Sequence, residues 1–214
     1  MWTLYGSRGS GSAAVEAALL RCGVPFRRVV ASTWEHGPGL DELLRANPLG
    51  QIPTLQFDDG QVMTESAAIL IQLGLLFPQS ALLPAEPGAR AQALRGLVYI
   101  AANCYAAIGV NDYPERWLPE ASKPDQLRLR QGARARLHKL WELFADQFPA
   151  PADFYAGAQP GALDLLAAVV SRWSGARAHL QTHRPALWAL VRRVDDVPEF
   201  RDLFLTHWPA QAAG

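Results

Sequence analysis

The stretch from Asn47 to Ile69, NPLGQIPTLQFDDGQVMTESAAI, decides the fold. Pro53 has no N–H, so it suits the beginning of a strand and not its middle. Beyond it, two short runs rich in strand-forming residues flank Asp58-Asp59-Gly60, a sequence typical of a hairpin turn in which Gly60 takes a positive φ. The stretch therefore predicts a strand entered at a proline, a hairpin and then a helix.

The helix after the hairpin follows a polar pair, Glu65-Ser66, and is apolar from Ala67 to about Phe77. We expect Ser66 to cap this helix, because its first N–H groups have no partners within the helix. Those N–H groups and the positive end of the helix dipole would attract an anion, and the Glu65 carboxylate would attract an ammonium. The pair is therefore suited to an α-amino-acid head group, which carries one charge of each sign.

The bond before Pro53 is the second candidate for ligand binding. If the Ile52–Pro53 bond is cis, the N–H and C=O of Ile52 face outward as a free donor and acceptor. Only about 5–6% of such bonds are cis in folded proteins, so this expectation depends on the surrounding sequence. The backbone of Ile52 would then pair with a peptide bond of the same ligand whose head group lies at Glu65 and Ser66.

The pattern Asn-Pro-x-Gly-x-Ile-Pro-x-Leu, followed by a hairpin and Glu-Ser-x-Ala-Ile, resembles the glutathione-binding half of the glutathione transferase superfamily. The resemblance implies that glutathione is the co-substrate, with its cysteinyl part on the backbone of Ile52 beside a cis Pro53. It also implies that Glu65 and Ser66 hold the γ-glutamyl head, and that Gln51 lies near the glycyl end. The alternative is an ordinary α/β domain with a hairpin and a capped helix.

The whole chain predicts an α/β domain followed by an all-α domain. Residues 1–78 read as a thioredoxin-like βαβαββα domain, because a strand, a helix, a second strand and a short helix precede the hairpin. Residues 79–88 contain Pro84 and Pro87 and predict a linker. Residues 89–214 show apolar residues at helical spacing and predict an all-helical domain. Helices are expected near residues 89–111, 124–148, 161–173, 185–194 and 198–204.

The composition excludes several classes of protein. The chain has 214 residues, enough for one large or two modest domains, and half of them are hydrophobic. Basic and acidic residues each number 20, so the formal net charge is zero, which argues against nucleic acid or a membrane surface as a partner. No apolar run approaches the roughly 18–20 residues of a membrane span. The N-terminus lacks the features of a signal peptide.

The two cysteines, Cys22 and Cys104, lie inside predicted helices. They indicate buried thiols in a reducing compartment and no disulfide framework. No spacing of Cys or His typical of a metal site is present, so we expect no bound metal. The sequence therefore predicts a cytoplasmic protein without a metal.

The group that activates the thiol is expected after the first strand, where the family has a Tyr, Ser or Cys. This chain offers hydroxyls there and no Cys, which favours conjugation, isomerisation or peroxide reduction over mixed-disulfide chemistry. The register places Gly9 in the usual catalytic position and Ser10 one position later. A shift of the loop by one residue would make Ser10 the donor, so we predict Ser10, with Ser12 or Ser7 as alternates. The competing interpretation is that Ser10 or Ser12 caps the first helix and that a backbone N–H holds the sulfur.

The remaining predictions concern the helical domain. Aromatic and acidic residues after the linker predict the pocket for the electrophile. These candidates are Tyr105, Asp112, Tyr113 and Trp117. Asp164 follows Gly161 by three residues at the start of an apolar helix, and we expect it to satisfy N–H groups there as a structural residue.

The predicted function is a homodimeric glutathione transferase that adds glutathione to a small hydrophobic electrophile, as in detoxification. Two alternatives stay open at this point. One is a transferase-like protein that binds ligands or partners without turnover. The other is a glutathione-dependent peroxidase or disulfide reductase.

Overall fold

The computed structural model describes residues 1–32, 34 and 36–209, so the end of the predicted helical domain, 210–214, lies outside the described residues. The first domain is a four-stranded sheet in the order β2-β1-β3-β4 with three helices. Its strands are β1 (Trp2–Gly6), β2 (Phe26–Val30), β3 (Thr54–Gln56) and β4 (Val62–Met63). Its helices are α1 (Ser12–Arg21), α2 (Pro38–Ala46) and α3 (Ser66–Leu76). The predicted βαβαββα domain is confirmed.

Strand β1 is central because it pairs parallel with β2 and antiparallel with β3. Successive side chains of a strand point to opposite faces. Leu4 accordingly joins the large core shared with α1, α3 and the helical domain, whereas Tyr5 joins a smaller core with Leu40 and Leu43 of α2. The hairpin is confirmed although its strands are shorter than predicted, and Gly60 has a φ of 88°.

The second domain is helical, as predicted. Its helices are α4 (Pro87–Tyr99), α5 (Ala106–Asp112), α6 (Lys123–Gln147), α7 (Ala162–Val170), α8 (Ala176–His183), α9 (Pro185–Asp195) and α10 (Pro198–His207). The sequence reading missed α8, which is short and largely polar and is held by packing against α6 and α9. The predicted helix 161–173 ends early, at Val170, in a turn that precedes Gly175 with a φ of 76°.

A π-helical segment, Ile100–Tyr105, joins α4 to α5, so that Pro87–Asp112 forms one continuous helical stretch. By length and composition alone this stretch could cross a membrane, and 39% of its apolar window is buried inside the protein. Core helices of helical domains meet the same criterion, and this one packs against α6 and α7. Short π-helical segments inside α-helices often occur at functional sites.

The predicted linker is packed against the protein at Ser80 and over residues 82–84, while its other residues are exposed. Residues Pro78–Ser80 form a 3-10 turn, while Pro87 and Gly88 belong to the first turn of α4. Leu82 is buried, and its carbonyl accepts a hydrogen bond from the N–H of Ala162 at 2.8 Å. The segment between the domains is therefore fixed to the start of α7.

Asp164 satisfies N–H groups at the start of α7, which confirms its expected structural role. Its side chain is fully buried, and its two oxygens accept hydrogen bonds from the N–H of Tyr155 and of Gly161, each at 2.9 Å. Gly161 has no side chain to return the bond, so the acidic residue alone joins the preceding loop to the helix. Asp164 does not line the cavity described next.

Candidate functional site

A cavity of about 550 Å³ lies between the two domains. It brings together most of the residues that the sequence singled out. From the first domain these are Ser10, Gln51, Ile52, Pro53, Glu65 and Ser66. From the helical domain they are Tyr105, Asp112 and Tyr113. Residues predicted for both ligands therefore face one common space.

Three predicted residues lie outside this cavity lining. Ser7 and Ser12 are buried beneath it. Trp117 is 62% exposed, because the 3-10 turn that begins at Pro114 carries it away from the cavity. Arg116, the residue before it, lines the cavity instead and stacks its guanidinium over the Tyr113 ring at 4.0 Å.

The segment before β3 is held by a small hydrogen-bond network. The Ile52–Pro53 bond is cis, as expected. The carbonyl of Gln51 accepts hydrogen bonds from the Thr54 hydroxyl at 2.7 Å and from the Asn47 amide at 3.2 Å. Asn47 also donates to the Thr54 hydroxyl at 3.0 Å. These bonds fix the backbone on either side of Ile52, which lines the cavity.

The start of α3 differs from the expected cap. Ser66 is the first residue of the helix, and Glu65 occupies the N-cap position with no side-chain cap hydrogen bond. Glu65 has a φ of 64°, a conformation that costs a non-glycine residue on the order of 1–3 kcal/mol and persists only where the surroundings impose it. The prediction that Ser66 caps the helix is wrong, since the backbone turns one residue earlier. Both side chains still border the cavity.

The Ser10 hydroxyl is engaged within its own loop. It donates to the Ser7 carbonyl at 2.7 Å, lies 2.9 Å from the Ser12 hydroxyl and accepts from the Ser12 N–H at 3.2 Å. A serine hydroxyl has a single hydrogen. A bond from Ser10 to a ligand would therefore replace its bond to the Ser7 carbonyl.

A buried histidine from the last helix holds the same loop. The N–H of Gly9 donates to Nδ1 of His207 at 3.2 Å, so Nδ1 carries no hydrogen. Nε2 of His207 then donates to Oε1 of Glu16 at 3.1 Å, and Arg28 pairs with the other oxygen of Glu16 at 3.3 Å. Glu16 and His207 are both buried. The arrangement ties Gly9, at the edge of the cavity, to the interior of α1.

Sequence reasoning missed several residues of the site. Trp34, Arg116 and Trp173 line the cavity, and His207 supports it from behind. None follows a motif or a spacing that marks it. Trp34 lies in a loop, and Trp173 reaches the cavity only because α7 ends at Val170. Only the folded arrangement brings these residues together.

The comparisons with known proteins agree with this architecture. A family model, glutathione S-transferase N-terminal domain, matches residues 12–74. The uncharacterised GST-like protein YncG of Escherichia coli is 38% identical over 130 residues, 60% of this chain and 62% of that protein. Maleylacetoacetate isomerase of Pseudomonas aeruginosa is 32% identical over 94 residues, 43% of each chain. The chain thus matches less than two thirds of the length of either relative.

A solved structure extends the likeness of the fold to both domains. It is a glutathione transferase homologue from Sulfitobacter with bound glutathione, which superposes with a TM-score of 0.80. The match covers 95% of this chain and 96% of that one at 20% identity, so it concerns the fold. Together these findings show that residues 12–74 match a glutathione S-transferase N-terminal domain, and that both domains share the fold of the Sulfitobacter homologue.

Proposed function

We propose that this protein binds glutathione in the cavity between its domains and transfers it to a small hydrophobic electrophile. The observation that carries the proposal is the meeting of the Ile52 backbone, Glu65 and Ser66 in one cavity. Glutathione has an ammonium and a carboxylate at its γ-glutamyl end and a peptide backbone beside its thiol. The Glu65 carboxylate can pair with the ammonium, and the first N–H groups of α3 can bind the carboxylate. The backbone of Ile52 can form hydrogen bonds with the peptide.

The reaction follows from the chemistry of the thiol. The thiol proton leaves to solvent, and the sulfur uses its electron pair to form a bond to the electrophilic carbon. A halide then departs with its bonding electrons, or a conjugated alkene takes a proton from water at the neighbouring carbon. The helical side of the cavity offers an apolar surface for such an electrophile, formed by Ile108, Tyr113 and Trp173.

We expect the change Glu65→Gln to weaken glutathione binding by about 10- to 100-fold, since a hydrogen bond to a charged group contributes roughly 1.5–3 kcal/mol. None of the ion pairs among the described residues includes Glu65, so the change should affect the ligand's ammonium and no pair within the protein. Isothermal titration calorimetry with glutathione measures it. The matched control is Glu120→Gln, a glutamate that also has a positive φ, of 59°, but lies outside this cavity.

Two outcomes of that titration would contradict the proposal. The first is the absence of glutathione binding by the unchanged protein. The second is an equal effect of Glu65→Gln and Glu120→Gln on the dissociation constant. A crystal grown with glutathione would then show where, if anywhere, the tripeptide lies.

A ligand-binding protein without turnover is the second candidate. The observation in its favour is the engaged hydroxyl of Ser10, the predicted donor, which points its hydrogen at the Ser7 carbonyl. Glutathione binding in calorimetry without turnover of aryl halides, conjugated alkenes, organic hydroperoxides or disulfides would support this candidate. Hydroperoxides and disulfides in the same panel test the peroxidase and reductase alternative.

The location and assembly are proposals as well. A cytoplasmic homodimer is consistent with the family resemblance and with two cysteines that are not paired with each other. Analytical ultracentrifugation of the full chain tests the assembly. A monomer at micromolar concentration would contradict the homodimer without affecting the proposed site.

A further inference from the structure

The Tyr105 hydroxyl is a buried polar group without a partner. Its oxygen is covered by protein and makes no hydrogen bond among the described residues, while Tyr105 is one of the residues that line the cavity. Buried hydroxyls are nearly always hydrogen-bonded, so an unpaired one needs an explanation. Tyr105 ends the π-helical segment of the helical domain, at the point where that domain faces the first one.

The surroundings of this hydroxyl are the residues proposed to hold glutathione. A Cβ on Gly11 would collide with the Tyr105 oxygen and would lie 3.7 Å from Cδ of Pro53. Burial raises the pKa of Tyr105, whereas the neighbouring Ser66 hydroxyl lowers it, although the two hydroxyls do not meet the geometry of a hydrogen bond. The tyrosine oxygen is therefore next to Gly11 and near both Pro53 and Ser66.

We propose that Tyr105, from the helical domain, donates the hydrogen bond that stabilises the glutathione thiolate. The inference rests on the proposed function, because it needs glutathione in this cavity. With its peptide at Ile52 and its head group at Ser66, bound glutathione would place its sulfur near Gly11 and Tyr105, which line the same cavity. A thiolate accepts hydrogen bonds better than a thiol does, so this donor favours the charged form.

Two further observations agree with this role. Burial raises the pKa of Tyr105 to about 12, so its hydroxyl keeps its hydrogen and stays a donor at neutral pH. The hydrogen of Ser10, by contrast, is directed at the Ser7 carbonyl.

The test is Tyr105→Phe, with the thiol pKa of bound glutathione followed by the ultraviolet absorbance of the thiolate. We expect that pKa to rise by about one unit and turnover at neutral pH to fall about tenfold, since one unit changes the thiolate fraction about tenfold. The matched control is Tyr99→Phe on the same continuous helix, whose hydroxyl donates to the Leu140 carbonyl. Calorimetry with glutathione accompanies every variant.

The outcomes separate this inference from the proposed function. No glutathione binding by the unchanged protein contradicts the function itself. Binding with an unchanged thiol pKa in Tyr105→Phe overturns the inference alone, even if affinity falls. A larger rise of the pKa in Ser10→Ala than in Tyr105→Phe also overturns it, in favour of Ser10.

A second variant keeps the test valid if Tyr105→Phe folds poorly. Gly11 has a φ of −62° and a ψ of −14°, which alanine adopts readily, so Gly11→Ala acts mainly by displacing the Tyr105 hydroxyl. We expect it to raise the thiol pKa of bound glutathione as Tyr105→Phe does. The double variant should be no worse than either single one. Additive effects, or no rise with Gly11→Ala, would overturn the inference.

Discussion

Replacing Asp164 by alanine is expected to lower the free energy of unfolding by about 3 kcal/mol, a large share of the 5–15 kcal/mol typical of a protein. Asp164 is fully buried and accepts hydrogen bonds from the N–H groups of Tyr155 and Gly161. The change leaves both N–H groups without an acceptor. Each unpaired buried group costs about 1–3 kcal/mol, and a small cavity adds to that. Urea denaturation followed by circular dichroism measures the difference.

Asp125→Ala is the matched control for this change. Asp125 is also the third residue of a helix, α6, and interacts with its N-cap residue Ser122. Its side chain is 48% exposed, so water replaces the lost bond, and we expect a loss below about 1 kcal/mol. Equal losses for the two variants would contradict the view that burial makes Asp164 important.

Asp164 should also make stability depend on pH in an unusual direction. Burial raises the pKa of Asp164 to about 6, and bonds from backbone N–H groups lower it only in part. An aspartate in an unfolded chain titrates near about 3.9. Between these values the folded state binds one proton more than the unfolded state, so this residue contributes stability that is present at low pH and is lost as the pH rises through about 6.

Asp164→Asn isolates that contribution because its side chain does not titrate. We expect the unfolding free energy of the unchanged protein, relative to that of Asp164→Asn, to rise by about 1–3 kcal/mol between about pH 7 and pH 4. Urea denaturation of both proteins at the two pH values measures it. A fall of this difference over the same pH range would mean that hydrogen bonds from the backbone N–H groups outweigh burial in setting the pKa of Asp164.

The second large effect is expected for His207→Ala. The change removes the partner of the buried Glu16 carboxylate and leaves Arg28, which is 41% exposed, to balance it. The imidazole N–H donates a hydrogen bond to this carboxylate, and the loss of a hydrogen bond to a charged group costs roughly 1.5–3 kcal/mol. With the cavity that the missing ring leaves, we expect a total loss of about 3 kcal/mol. The Gly9 N–H also loses its acceptor, so the loop beside the cavity should loosen and glutathione binding should weaken.

Two variants distinguish this role from a general loss of packing. Glutamine can accept from Gly9 through its oxygen and donate to Glu16 through its nitrogen, so His207→Gln should recover part of both losses. His183→Ala removes an exposed histidine of α8 and should change neither stability nor binding by much. If His207→Ala destabilises the protein but leaves glutathione affinity intact, the loop does not depend on this histidine.

The sequence predicts the parts of the site that local chemistry determines. Pro53, the hairpin and the apolar run after Ser66 are adjacent in the chain, so their turn residues and periodicity suffice to predict strand, turn and helix. The same locality explains why Asp164 could be interpreted correctly. Its partner Gly161 lies three residues away.

The parts that the sequence does not predict depend on distant contacts. Ser66 was expected to cap α3, but Glu65 takes a backbone conformation that glutamate does not favour by itself. The hydroxyl of Ser10 is engaged by its loop, and the exposure of Trp117 depends on a single turn. The contact between Tyr105 and Gly11 joins two domains, and no pattern in either segment indicates it.

The link between Gly9 and His207 spans 198 residues of sequence. During synthesis on the ribosome, the first domain emerges long before the helix that completes its loop. Until then, Glu16 would keep its pair with Arg28 but would lack the hydrogen bond from His207. We therefore expect nascent chains stalled before α10 to retain little affinity for immobilised glutathione, and capture on such a resin to report when translation has passed His207.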